Sequence, residues 1–195
     1  MNSNLIKKFI SQKRLASYKD VREYEQNLLV SKRAYIPLSV FEVALRNAID
    51  AFLSDKISNE WYKEENFLTK DSQKKVDDVI ELLQRRKENS TKDKIIAELS
   101  FGFWVNLFKS PYAKNLRIND LKKIFPNLPS KQIKLINREY IFKRLNHIRK
   151  FRNRIFHYEK ILNKDAYNHI FEEIEELLVY FDKDLYNFIQ KMNNE

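Results

Sequence analysis

Residues 165–188 read DAYNHIFEEIEELLVYFDKDLYNF. Apolar side chains fall there at Ala166, Ile170, Phe171, Ile174, Leu177, Leu178, Phe181, Leu185 and Phe188. Steps of three and four residues return to one face of an α-helix each turn, whereas a strand needs strict alternation. The segment predicts one helix beginning near Asp165. Its stripe is the most regular in the chain and suits core packing or dimerisation.

The same period appears upstream. Ser130 follows Pro129 as an N-cap, and Ile133, Ile136, Tyr140, Ile141, Leu145 and Ile148 carry a helical pattern on toward Leu162. Asp20 predicts the cap of a helix over 21–35, and Pro37 sits where the first residue of another belongs. That second helix extends to about Leu53, with Phe41, Ala44, Leu45, Ala48 and Phe52 on one face. Val76, Val79, Ile80 and Leu83 mark a helix from Ser72 to Arg86, and residues 94–108 mark another, bent near Gly102. Between these lie a segment packed by Trp61, Tyr62 and Phe67, a polar connection over 85–94, and an irregular stretch over 109–130 with a short helix near 118–125. Residues 1–16 form a short amphipathic lead-in. The reading is all-α: one helical domain over 1–195, with a central insertion over about 55–128.

Composition agrees. The 195 residues hold one glycine and four prolines, too few for the tight turns of a sheet protein. One glycine also excludes a phosphate-binding P-loop, a dinucleotide fingerprint and a nucleophile elbow. Without cysteine there are no disulfides, thiolate zinc sites or cysteine nucleophiles. No apolar run is long enough to span a membrane, and Leu5, Ile6, Phe9 and Ile10 are too short a patch for a signal peptide, so a cytoplasmic protein is expected. A net charge of +10 and a pI near 9.5 favour polyanionic partners, although a lysine-rich composition alone would produce the same charge.

Three histidines occur, His147, His157 and His169, and only His157 has an arginine five residues before it. Arg152 and His157 alone form a weak motif; Asn153 beside the arginine makes the spacing informative. RNA cleavage by its own 2′-OH needs a base for that proton, an acid for the 5′ leaving oxygen, and positive charge at the phosphate. Histidine serves as base or acid near neutrality, and arginine presents a fork of donors to phosphate oxygens. On a helix Asn153 and His157 share a face, so Asn153 either fixes the imidazole or contacts substrate. Arg152 stands about 140° round a regular helix from His157 and converges better at a helix start or bend. No metal or cofactor is needed for this route, and no zinc-ligand pair such as H-E-x-x-H is present.

The stretch from His147 to Glu159 resembles the R-N-x3-H signature of HEPN ribonucleases, in particular the abortive-infection (Abi-like) branch of bacterial phage-defence proteins. Ser39 to Asn47 resembles that branch's first conserved helix, and Ser100 to Phe108 its middle motif. The resemblance covers most of 37–160 and implies a HEPN-like helical bundle, a homodimer with a composite cleft, and Arg152, Asn153 and His157 as catalytic residues. Arg149 and Arg154 add charge for the RNA backbone. The implied packing of the two helices makes Glu42 a candidate for orienting Arg152 or His157, with Arg46 beside it. The simpler expectation is an ordinary Glu42–Arg46 surface pair. His147 and His169 are read as non-catalytic, and Phe103 and Trp104 as core or interface rather than a base-stacking platform. The expected activity is a toxin-like endoribonuclease restrained by an RNA or protein partner. Rival readings are a non-catalytic RNA-binding module and a helical interaction scaffold.

Overall fold

Side chains at 34, 38, 41, 45, 49 and 52 are almost wholly buried and lie on one unbroken face of a helix, although Pro37 stands among them. The computed structural model describes residues 8–194, so the part of the N-terminal lead-in before residue 8 lies outside the described residues. Nine helices are used below: α1 (Gln12–Leu15), α2 (Val21–Lys56), α3 (Lys70–Arg85), α4 (Lys92–Glu98), α5 (Phe101–Asn106), α6 (Ile118–Ile124), α7 (Arg138–Phe156), α8 (Ile170–Phe181) and α9 (Lys183–Asn194). Helix accounts for 72% of the structure and no strand occurs among the described residues, so the fold is all-α.

The long helix α2 replaces the two helices expected on either side of Pro37. Asp20 caps it as expected, its carboxylate accepting the Glu23 N–H at 2.8 Å. A proline inside a helix loses one hydrogen bond and costs about 3 kcal/mol. Burial of Ala34, Leu38 and Phe41 on one continuous stripe outweighs it, at roughly 1.5–3 kcal/mol for each large apolar side chain.

Two other boundaries move for reasons of capping. The helix expected over 94–108 divides into α4 and α5 at Leu99–Ser100, where Ser100 Oγ accepts the Phe103 N–H. Gly102 lies inside α5, so capping sets the break, not the glycine. The final stripe divides into α8 and α9 at Asp182, whose extended backbone ends one helix while its carboxylate accepts the N–H groups of Asp184 and Leu185. Helix α7 begins after Asn137, which accepts the Tyr140 N–H at 2.8 Å, and not at Ser130. Ile133 lies outside it, 80% exposed.

Helix α7 buries Ile141, Leu145, Ile148, Phe151 and Ile155 against α5 and α8. Helices α5, α6, α8 and α9 all pack on α2. The buried apolar residues form one continuous cluster from Ala34 to Ile189. Phe103 and Trp104 are fully enclosed in it, with Trp61 packed against both, which makes them core residues. Among the described residues no helix is long and apolar enough to cross a membrane.

Candidate active site

The buried face of α7 turns Arg152 toward α2, where Arg152 Nε donates to Glu42 Oε2 at 3.2 Å. Both side chains are about a quarter exposed, at 28% and 26%. The carboxylate takes Nε, and neither Nη has a hydrogen-bond partner among the described residues. Those terminal donors are the ones that fork a phosphate. The guanidinium also lies over the Phe156 ring at 4.2 Å, which fixes its plane.

His157 is the C-cap of α7 and is exposed. The helix ends there in a Schellman motif: Glu159 N–H bonds to the Arg154 carbonyl at 2.8 Å and Tyr158 N–H to the Ile155 carbonyl at 2.9 Å. The residue between them must be left-handed, and it is Tyr158, at φ 57°. Glycine normally takes this place. His157 therefore sits where the helix is forced to stop. The bend that would help Arg152 and His157 converge lies at the histidine end of the motif.

The main chain of Asn153 accepts the His157 N–H at 2.9 Å. The Asn153 amide does not bond the imidazole, and neither group has a side-chain partner among the described residues.

The other named residues divide. Glu42 pairs with Arg152 across 110 positions, while Arg46 turns away to the Ala97 carbonyl at 3.3 Å, so the ordinary Glu42–Arg46 pair does not form. Arg149 is occupied by Asn146 Oδ1, at 2.8 and 3.2 Å, and lies against Gly102. Arg154 faces the following loop, pairing with Glu159 at 2.8 Å and donating to the Lys160 carbonyl. His147 bonds Glu173 at 2.8 Å and stacks on Tyr167, joining α7 to α8 as a structural group. His169 is 84% exposed on the side chain, near Glu172. Among the described residues, no group of three or more metal-ligating side chains comes together.

Sequence reasoning passed over Asn27. It is 2% exposed in the second turn of α2. Its amide oxygen accepts the N–H groups of Ile161 and Leu162 at 2.7 and 3.2 Å, and its nitrogen donates to the Glu159 carbonyl. This side chain holds the loop leaving His157 from 132–135 positions away. A polar residue on an apolar stripe was the available signal. Arg14 adds a second hold by donating to the Tyr158 carbonyl.

Set beside known proteins, the chain matches no family model, no curated protein and no solved structure.

Proposed function

We propose that this protein is a metal-independent endoribonuclease in which His157, Arg152 and Asn153 form the reactive group. The observation that supports this reading best is the Arg152 guanidinium, held through Nε by Glu42 with both Nη groups uncommitted, five residues before an exposed histidine that caps the same helix. His157 takes the proton of a ribose 2′-OH, the freed oxygen attacks the adjacent phosphorus, and the P–O5′ bond breaks. The leaving 5′ oxygen takes a proton from a general acid. Arg152 Nη groups neutralise the charge gathering on the phosphate oxygens, and the Asn153 amide hydrogen-bonds the substrate. The products are a 2′,3′-cyclic phosphate and a 5′-OH, and DNA, lacking the nucleophile, is not cut.

The general acid is the His157 of a second copy in a homodimer. Leu28, Leu29 and Tyr35 on α2 and Phe156 at the end of α7 are exposed apolar side chains around a groove of about 1070 Å³. A two-fold contact across this face places the two α7 ends side by side. Leu29→Asp, on the outer rim, is expected to give a monomer by light scattering and to lose cleavage. The resemblance to abortive-infection HEPN proteins extends the reading to a cytoplasmic toxin of phage defence, restrained by an RNA or protein partner.

The test is incubation of purified protein with RNA in EDTA, wild type beside His157→Ala. Wild type cleaves to cyclic phosphate ends and the variant does not. Cleavage by both, or by neither, overturns the reading. Loss of cleavage together with loss of salt-sensitive RNA binding by both proteins would leave a helical scaffold.

A further inference from the structure

A cavity of about 600 Å³ lies between α1 and the loop that follows His157. The three reactive residues proposed above do not line it. Its wall carries Lys13, Arg14, Arg154, Lys160 and Lys164 against one carboxylate, Glu159. Three of these cations are already engaged. Arg14 donates to the Tyr158 carbonyl, Arg154 pairs with Glu159, and Lys160 pairs with Glu23 at 2.8 Å. They hold the wall together. Lys13 and Lys164 have no ion-pair partner among the described residues and leave the cavity strongly positive.

The wall also has an aromatic surface. Tyr158 is 72% exposed, and its left-handed backbone is fixed by the Schellman motif and by Arg14. Unpaired cations beside an exposed ring are the elements that grip a single nucleic-acid strand, one taking the phosphate and the other the base. The volume lies in the range of small-ligand sites and suits one nucleotide. Arg154 and Tyr158, three residues before and one residue after His157 in the chain, line the cavity, so it lies at the same end of α7 as His157.

We infer that this cavity is a nucleotide subsite of the RNA strand: a phosphate neighbouring the scissile one rests between Lys13 and Lys164, and its base stacks on Tyr158. The inference rests on the ribonuclease reading and extends it from the reacting phosphate to the strand alongside.

The experiment measures binding of a fluorescein-labelled uridine oligoribonucleotide, 2′-O-methylated throughout so that it cannot be cut, by anisotropy as KCl is raised. Full-length wild type is compared with Lys13→Ala/Lys164→Ala. The control is Lys74→Ala/Lys75→Ala, which removes the same charge from exposed positions on α3, away from the cavity. The slope of log affinity against log salt falls by about 0.7 in the cavity variant, for the one phosphate that the two lysines neutralise on a single strand, and is unchanged in the control. Tyr158→Ala lowers affinity by about fivefold or more with the slope kept. Equal slopes in wild type and the cavity variant, or equal losses in both double variants, overturn the subsite. Inorganic tripolyphosphate is titrated in parallel. If the cavity variant loses tripolyphosphate binding but keeps the oligomer, the site serves a free polyphosphate and the strand assignment falls. Cleavage of the unmodified oligomer by wild type, measured beside these, separates failure of the subsite from failure of the ribonuclease reading.

Discussion

Replacing Asn27 with leucine removes three hydrogen bonds while keeping the branched shape of the side chain at a larger volume. Ile161, whose N–H loses its acceptor at 2.7 Å, is 4% exposed, so water cannot replace the bond, and the full desolvation penalty of about 2 kcal/mol applies. Leu162 is half-buried and its bond is longer, 3.2 Å, so water recovers part of the loss and about 1 kcal/mol remains. The third bond, to the Glu159 carbonyl at 3.4 Å, adds little. Leucine leaves no cavity and its extra bulk only adds to the polar loss, so Asn27→Leu destabilises the fold by about 3 kcal/mol or more. That is a large share of the roughly 5–15 kcal/mol holding a protein together. Urea unfolding followed by far-UV circular dichroism reads the loss, and the melting temperature falls by roughly 6–12 °C. Amide exchange at Ile161 and Leu162 accelerates beyond what the global loss explains. A loss below about 1 kcal/mol with unchanged local exchange would refute this account of how the loop after His157 is held.

Other expectations follow from the same region and its neighbours. Glu42→Gln frees Arg152 to move and lowers cleavage by about tenfold to a hundredfold, at a stability cost under about 1 kcal/mol; unchanged cleavage at unchanged stability removes Glu42 from the site. Tyr158→Gly relieves a left-handed conformation costing roughly 1–2 kcal/mol and gives back up to about 1 in glycine's chain entropy, so thermal unfolding shows a net gain of up to about 1 kcal/mol. Burial alone would raise the Glu176 carboxyl, but hydrogen bonds from Lys134, Tyr180 and Tyr140 outweigh it and hold it below the usual carboxylate value. A depressed carboxyl stabilises the fold above its unfolded value of about 4.3 and loses that contribution as pH falls through the folded value. Denaturation midpoints measured from pH 6 down to pH 3 therefore fall more steeply in wild type than in Glu176→Gln.

Much of the helical content was legible in the residues. The stripes on α3, α7 and α8, and on α2 from Phe41 to Phe52, carry many of the side chains that are buried, because a 3.6-residue period is a local property, whereas Val21, Tyr24, Leu28 and Leu29, which share a face by spacing, are not buried. Boundaries were less legible. Pro37 reads as a helix start because its local preference is strong, and only the continuous burial on both sides of it shows that the helix runs on. The apolar stripe passes over Asp182 without a gap, while the carboxylate that breaks the helix there acts through two backbone N–H groups that periodicity does not register. Gly102 attracted a bend that Ser100 makes by capping.

For the candidate site, sequence by itself determined the residue types and their order: Arg152, Asn153 and His157 on one helix, in a basic, cysteine-free, nearly glycine-free chain where few other chemistries can arise. Tertiary structure decided which partners those residues have. Glu42 meets Arg152 rather than Arg46, Asn27 holds the loop beyond His157, and Arg14 with Lys13 walls the cavity beside it. Each of these contacts joins positions more than a hundred residues apart, and such pairs leave no trace in local spacing. They exist because burying one apolar face of α2 against the rest of the bundle brings Asn27 and Glu42 to the end of α7.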